Sequence, residues 1–228
     1  MAFEGLSDRL AAIQQVIADQ QVRHGLSQPM RIVAVTKTHG PEAVRAAHAA
    51  GLTMVGENRV QEALRKQEEL ADLDVAWHLI GSLQRNKARQ AVGRFALIHS
   101  VDRVELADEL ARRVPEGARQ AVLVEVNCAS EPQKGGVAPS GLEALLDHLG
   151  TLPSLDVQGL MTMAPFTDAE AVQRGTFARL RELRNRLAGA GRPLPELSMG
   201  MSGDYPAAVA EGATLLRLGT VLFGEREP

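Results

Sequence analysis

Cysteine is nearly absent. The 228-residue chain holds one, Cys128, which excludes an internal disulfide framework and a zinc site built from several thiolates, and suits a reducing compartment. It reads as an inert buried thiol. Aromatic residues make up 3% of the chain, with Trp77 and Tyr205 the sole representatives of their types, so a base-stacking surface of the single-strand-binding kind has few candidates. Neither charge dominates: 25 Lys+Arg face 28 Asp+Glu, a formal net charge of -3, which leaves no whole-protein field to gather nucleic acid or an anionic membrane. No window is long and apolar enough to span a bilayer, and residues Met1 to Arg9 mix charges where a signal peptide needs an unbroken apolar segment. The expectation is a cytoplasmic protein with neither nucleic acid nor membrane as partner. No proline-rich linker or shift of composition divides the chain, so 1–228 is expected to form a single domain.

What the chain does have is a repeated grammar of short apolar segments and amphipathic ones. Leu6, Leu10, Ile13 and Ile17 mark a leading helix at spacings of four, three and four. Residues 31–37 then read as a strand, followed by Gly40-Pro41-Glu42 opening a helix with Val44, Ala47 and Ala50, closed at Gly51. Further strands are expected at 53–56, 75–81, 95–100, 121–127, 155–161, 196–199 and 214–218. Between them come helices carrying Val60, Leu64 and Leu70; Leu106, Leu110 and Val114; Leu142, Leu145, Leu146 and Leu149; and Val172, Leu180, Leu183 and Leu187. Ser82 is available to cap one helix, and Asp102 with Glu105 stands at capping-box spacing before another. Alternating strands and helices with short connections imply a parallel sheet covered by helices. About eight such units predict an α/β fold, a single-domain (β/α)8 TIM barrel with an extra N-terminal helix, with an open doubly wound sheet as the alternative.

The first strand ends in an amine. Side chains alternate along a strand, so Val33, Val35 and Lys37 share one face and Ile32, Ala34 and Thr36 the other. A lysine on an apolar row loses hydration, which favours its neutral, nucleophilic form. Taken alone, the segment is more simply a lysine whose ammonium reaches out to solvent. Two loops change that reading. In a barrel of this kind phosphate groups commonly sit on the loops after strands seven and eight. Here these are Met199-Gly200-Met201-Ser202-Gly203-Asp204, leading into a helix, and Arg217-Leu218-Gly219-Thr220. Both combine glycine with a hydroxyl where backbone N–H groups can meet an anion. Barrel closure makes strand one the neighbour of strand eight. A lysine facing a phosphate cradle suits a Schiff base with pyridoxal 5′-phosphate, whose aldehyde and phosphate leave its ring on different sides. Arg217 shares its strand face with Leu215 and Gly219 and is expected to project into the same cavity.

The chain also resembles a known family. Val-Ala-Val-Thr-Lys-Thr at 33–38, Gly-Glu-Asn-Arg-Val-Gln-Glu at 56–62, Trp-His-Leu-Ile-Gly-Ser-Leu-Gln-Arg-Asn-Lys at 77–87, Met-Gly-Met-Ser-Gly-Asp at 199–204 and Arg-Leu-Gly-Thr at 217–220 are similar, in order and spacing, to the signature blocks of the pyridoxal phosphate homeostasis proteins. The resemblance implies a barrel similar to the N-terminal domain of alanine racemase, with the cofactor linked to Lys37. It also implies phosphate contacts from Ser202, Gly203, Gly219 and Thr220, Arg217 beside the pyridine nitrogen, and Asn58 and Met201 in the binding site. Family members are regarded as carriers or regulators of the cofactor without an established catalytic activity. The implied function is pyridoxal 5′-phosphate homeostasis, with no robust catalysis and with pyridoxal-phosphate-dependent apo-enzymes as candidate recipients. Two positions depart from the pattern: Arg59 stands where tyrosine is common, and Pro41 follows Lys37-Thr38 only after His39-Gly40.

The competing reading is a racemase or lyase using the same cofactor. An arginine at the pyridine nitrogen stays protonated and so weakens the ring as an electron sink. A racemase of this barrel type further needs a second acid-base group, in the related enzyme a tyrosine associated with an additional domain. Tyr205 follows the phosphate loop and is better placed to buttress the helix start. His39 is the other conceivable base. His78 and His99 are expected as buried, hydrogen-bonded histidines without metal. Arg85, Lys87, Arg89 and Arg94 are expected as a solvated helix face, and Lys134-Gly135-Gly136 as a loop at the mouth, a lid or plain surface. The polar outer helices favour a monomer.

Overall fold

Each apolar segment is too short to bury itself alone, and eight of them close into one barrel. The computed structural model describes residues 3–129, 131 and 135–224. Its strands are β1 (Arg31–Val35), β2 (Met54–Glu57), β3 (Ala76–Leu79), β4 (Leu97–Val101), β5 (Gln120–Glu125), β6 (Leu155–Met161), β7 (Glu196–Ser198) and β8 (Leu215–Leu218). Neighbours in sequence pair in parallel, and β8 returns to β1 with Val33 beside Arg217. The helices are α1 (Leu6–His24), α2 (Pro41–Ala49), α3 (Val60–Glu69), α4 (Ala88–Ala91), α5 (Val104–Arg113), α6 (Leu142–Gly150), α7 (Glu170–Gly189), α8 (Tyr205–Ala210) and α9 (Thr220–Phe223). None of the described helices is long and apolar enough to cross a membrane.

Alternation sorts the side chains. Val33, Leu97, Leu123, Met161 and Leu215 plug the barrel, while the outward residues of the same strands pack beneath the helices. The leading helix is present as expected: Leu6, Leu10, Ile13 and Ile17 are buried on one stripe of α1. Its Arg9 Nε donates to the Leu222 carbonyl at 2.6 Å, tying α1 to α9.

Local details differ from the sequence reading in four places. β1 stops at Val35, so Lys37 lies on the turn after the strand. Asp102 does not cap: Arg103 occupies the N-cap of α5 without a side-chain cap bond, because Asp102 pairs with the Arg103 guanidinium instead. Ser82 does not cap either; a 3-10 turn over Arg85–Lys87 precedes α4, with Gln84 at its N-cap. Val172 is 47% exposed, since the buried stripe of α7 runs through Gln173, Thr176, Phe177, Leu180, Leu183 and Leu187. A residue one position off such a stripe is rotated about 100° from it. Arg85, Arg89 and Arg94 are exposed and Lys87 half-buried, as a solvated face requires. Gly135 and Gly136 are described, but Lys134 falls outside the described residues.

Candidate functional site: the mouth of the barrel around Lys37

The turn that carries Lys37 is built from constrained backbone. Thr36 is fully buried and Lys37 half-buried, as expected where one points outward under α3 and the next faces the mouth. Thr38 has φ 68, a left-handed conformation that a β-branched side chain resists. The turn is held from outside the barrel. Lys66 Nζ donates to the Thr36 carbonyl at 2.8 Å and pairs with Glu57 at 2.7 Å and with Glu62 at 3.2 Å. Thr36 Oγ1 donates to Glu57 at 2.6 Å, and the Thr38 N–H to Glu62 at 2.9 Å. Burial raises the Glu57 pKa against the pull of Lys66 and Thr36. Glu62 is less buried, and there the Thr38 and Lys66 bonds overcome desolvation and lower it.

Val33 runs beside Arg217, and one step further a Cβ on Gly219 would lie 3.4 Å from the Val35 carbonyl. The turn bearing Lys37 begins directly after Val35, so that turn and the β8 loop are neighbours. The two glycine loops also meet. Ser202 Oγ accepts the N–H groups of Gly219 and Val221, both at 3.2 Å, joining the loop after β7 to the start of α9. Asp204 Oδ1 accepts the Met201 N–H at 2.5 Å and folds the first loop back on itself. Gly200 makes that possible: its φ is 94, and a Cβ there would sit 2.6 Å from the Ala208 Cβ. Around Gly203, by contrast, a Cβ would meet nothing within 4 Å. The N–H groups of Ser202, Gly203 and Thr220 find no acceptor among the described residues. N–H donors beside open space can meet an anion such as a phosphate; the Gly219 N–H is not among them, since it is taken by Ser202. Met201 and Asn58 are half-buried, the first in that loop and the second directly after β2.

Beneath the mouth a polar chain crosses the barrel. Arg217, 4% exposed, donates to Ser198 Oγ at 2.6 Å and to the Thr162 carbonyl at 2.9 Å. Ser198 Oγ lies 2.9 Å from His99 Nδ1, and His99 Nε2 lies 2.9 Å from His78 Nδ1. One donor order fits all three links, running from Arg217 through Ser198 and His99 to His78 Nδ1. Burial, helped by Arg31 and opposed by Glu196, holds His78 at about 4, and burial with a smaller contribution from Arg217 holds His99 well below its usual value. Both are therefore neutral at pH 7. Burial lowers Arg217 to about 10, opposed by Asp204 and Glu125, and the guanidinium stays charged. Glu125 completes the electrostatics. It ends β5 in phase with the interior residue Leu123, and burial, aided by Asp102, raises it to about 7 despite Arg217.

Other sequence candidates are placed elsewhere. Tyr205 is buried at the start of α8, with its pKa raised by desolvation. Cys128 is buried, and its thiol is pushed up to about 11 by desolvation. His39 packs in an aromatic triad, edge-on to Phe3 at 5.4 Å and tilted against Phe223 at 5.4 Å. Arg59 is exposed at the N-cap of α3. The sequence reading missed Lys66, Glu57, Ser198, Thr162 and Glu125. A signal for the first existed: Val60, Ala63, Lys66 and Leu70 are all buried, so the lysine interrupts an otherwise apolar stripe.

The barrel and the contents of its mouth define a class that comparison with known proteins makes specific. The family described as "Alanine racemase, N-terminal domain" matches residues 9–227. A pyridoxal phosphate homeostasis protein of Aquifex aeolicus is 44% identical over 223 residues, spanning 96% of this chain and 98% of its own length. PipY of Synechococcus elongatus, solved with PLP bound, superposes with a TM-score of 0.83 at 42% identity, over 96% of this chain and 100% of that one. An alanine racemase of Clostridium difficile shares the fold, with a TM-score of 0.75 at 15% identity, and this chain covers 58% of its length. The chain belongs to the family of pyridoxal phosphate homeostasis proteins, built on the barrel of the alanine racemase N-terminal domain.

Proposed function

We propose that this chain binds pyridoxal 5′-phosphate reversibly through Lys37 and takes part in cytoplasmic homeostasis of that cofactor as a carrier. The observation that carries the reading is the convergence, across the β1–β8 seam, of the Lys37 turn with Arg217 and with the Ser202 bridge between two phosphate-type loops. It is supported by the PLP found in PipY and by the naming of the relatives. When bound, the cofactor supplies an aldehyde for the Lys37 amine and a ring able to accept electron density.

The protein's own residues favour retention over turnover. Ser202, Gly203 and Thr220 would offer hydroxyl and N–H donors to the phosphate, and Met201 and Asn58, half-buried on the loops after β7 and β2, would line the site. Arg217 is fixed by Ser198 and Thr162 as a permanent cation. Beside the pyridine nitrogen, as the resemblance implies, such a cation would disfavour a proton on that nitrogen and weaken the ring as an electron sink. Tyr205 is buried at the start of α8 and so is not held over the mouth as an acid-base partner.

For the alternative, a residual racemase or lyase activity, the buried Glu125 carboxyl at the end of β5 would be the candidate acid-base group. Loaded protein is expected to restore activity to a pyridoxal-phosphate-dependent apo-enzyme, and to leave single amino acids optically unchanged. Turnover above that of free cofactor, abolished by Lys37→Ala and by Glu125→Gln, would establish the enzyme reading instead. The exposed large apolar residues among those described, Val22, Val104, Phe166 and Val172, sit on different elements, which supports a monomer; sedimentation of loaded and empty protein tests it.

A further inference from the structure

We propose that Lys66, on the outside of the barrel, is a positioning residue for Lys37, acting through a backbone clamp that it forms with Glu57 and Glu62. This inference rests on the reading of Lys37 as the cofactor-binding amine. The clamp grips the chain immediately before and after that residue. On one side the Thr36 carbonyl accepts from Lys66 Nζ at 2.8 Å while the Thr36 hydroxyl donates to Glu57 at 2.6 Å. On the other side the Thr38 N–H donates to Glu62 at 2.9 Å. Lys66 then joins the two carboxylates, at 2.7 Å and 3.2 Å. Three charged side chains from β2 and α3 thereby fix both peptide neighbours of Lys37.

Two features make this more than a structural ion pair. First, the turn needs holding. Thr38 sits at φ 68, and such a conformation persists in a β-branched residue only where surrounding bonds over-determine it. Second, the site is costly to maintain. The Lys66 side chain is 6% exposed and that of Glu57 is 0%, with Glu57 Oε2 left without a partner. A buried ion pair of this kind is often no more stabilising than apolar residues of the same volume. Its stabilising effect alone therefore does not account for a lysine on an otherwise apolar stripe, whereas its bonds to the turn do. Lys66 faces away from the mouth, so it positions Lys37 by placing the peptide units on either side of it.

The test separates placement of the amine from the rest of the site. Pyridoxine 5′-phosphate has the ring and phosphate of the cofactor but no aldehyde, so its affinity reports the loops alone. The fraction of pyridoxal phosphate fixed on Lys37 by borohydride at subsaturating concentration reports the amine. Lys66→Met alone strands Glu57, so Lys66→Met with Glu57→Gln is compared with Glu62→Ala, which breaks the Thr38 bond at a less buried position. Lys66→Arg keeps the cation. Both disrupting variants are expected to bind pyridoxine 5′-phosphate within about twofold of the unaltered protein, and to lose about tenfold or more in trapped Lys37, since misplacement of a reacting group by about 1 Å costs up to about 100-fold. Lys66→Arg is expected to retain most of the trapping. Unchanged trapping in both variants, or a parallel loss of pyridoxine 5′-phosphate affinity, overturns the proposal. An untrapped Lys37 in the unaltered protein overturns the reading beneath it, and is recognised by appearing before any substitution is made.

Discussion

Gly200 and Gly203 lie three residues apart in one loop, yet alanine should do opposite things at the two. At Gly200 the backbone has φ 94, and the new Cβ would lie 2.6 Å from the Ala208 Cβ and 2.9 Å from Leu216 Cδ2. A left-handed conformation costs a non-glycine residue about 1–2 kcal/mol. Overpacking a filled core adds about 1–3 kcal/mol. Gly200→Ala should therefore lose about 2–5 kcal/mol, which in a domain of this size lowers the melting temperature by roughly 5–20 °C. At Gly203 nothing lies within 4 Å of the Cβ, and an open surface position changes stability by no more than about 0.5 kcal/mol. The methyl group does, however, enter the space assigned to the phosphate. Gly203→Ala is thus expected to melt normally and to bind pyridoxal phosphate and inorganic phosphate more weakly. Calorimetry of both variants with titration of both ligands is the assay. Equal destabilisation of the two, or unaltered phosphate binding by Gly203→Ala, would refute the assignment of scaffold and ligand roles within the loop.

Further predictions follow from burial and charge. The Glu125 carboxyl is raised to about 7 from an ordinary value of 4.5, so between those values the unfolded state has released a proton that the native state keeps. Stability contributed by this group is present below about pH 4.5 and is lost as pH rises to about 7. Glu125→Gln should gain on the unaltered protein by at most about 3.5 kcal/mol across that window, at about 1.4 kcal/mol per unit. A difference that does not vary with pH in denaturant titrations would contradict it. His78 has the opposite sign: held at about 4, it costs stability as pH falls from about 6.5 toward 4, and His78→Gln should flatten that limb. Phe177 is fully buried and Val172 is 47% exposed; Phe177→Ala should cost about 3–5 kcal/mol, and Val172→Ala less than about 0.5. Comparable losses would place the α7 stripe wrongly.

How much of this was legible in the sequence depends on how local the signal is. The barrel was, because eight strand-helix units each carry their own periodicity, and α6 buries all four leucines named for it. The seam between β1 and β8 followed from closure alone, and it pairs Val33 with Arg217 and sets Gly219 beside Val35, just before the Lys37 turn. The capping box at Asp102 and Glu105 failed because spacing does not reveal that Arg103 competes for the aspartate. Val172 failed because one apolar residue beside a stripe obeys the same composition as one on it. The interior chain from Arg217 through Ser198 and His99 to His78 joins residues 19, 99 and 21 positions apart, and its partners become neighbours only when β3, β4, β7 and β8 share an interior. The clamp at Lys66 lies between these cases. Its charge on an apolar stripe is visible in the sequence, but its acceptor, a backbone carbonyl 30 residues away, is not.

The central claim is that Lys37 is the amine that takes the cofactor. Incubation with pyridoxal phosphate, borohydride reduction and peptide mapping tests it directly. The account predicts one pyridoxyl group on the peptide containing Lys37, absent from Lys37→Ala and unaffected at the other lysines. An unmodified Lys37, or equal labelling of the same protein after Lys37→Ala, would contradict it.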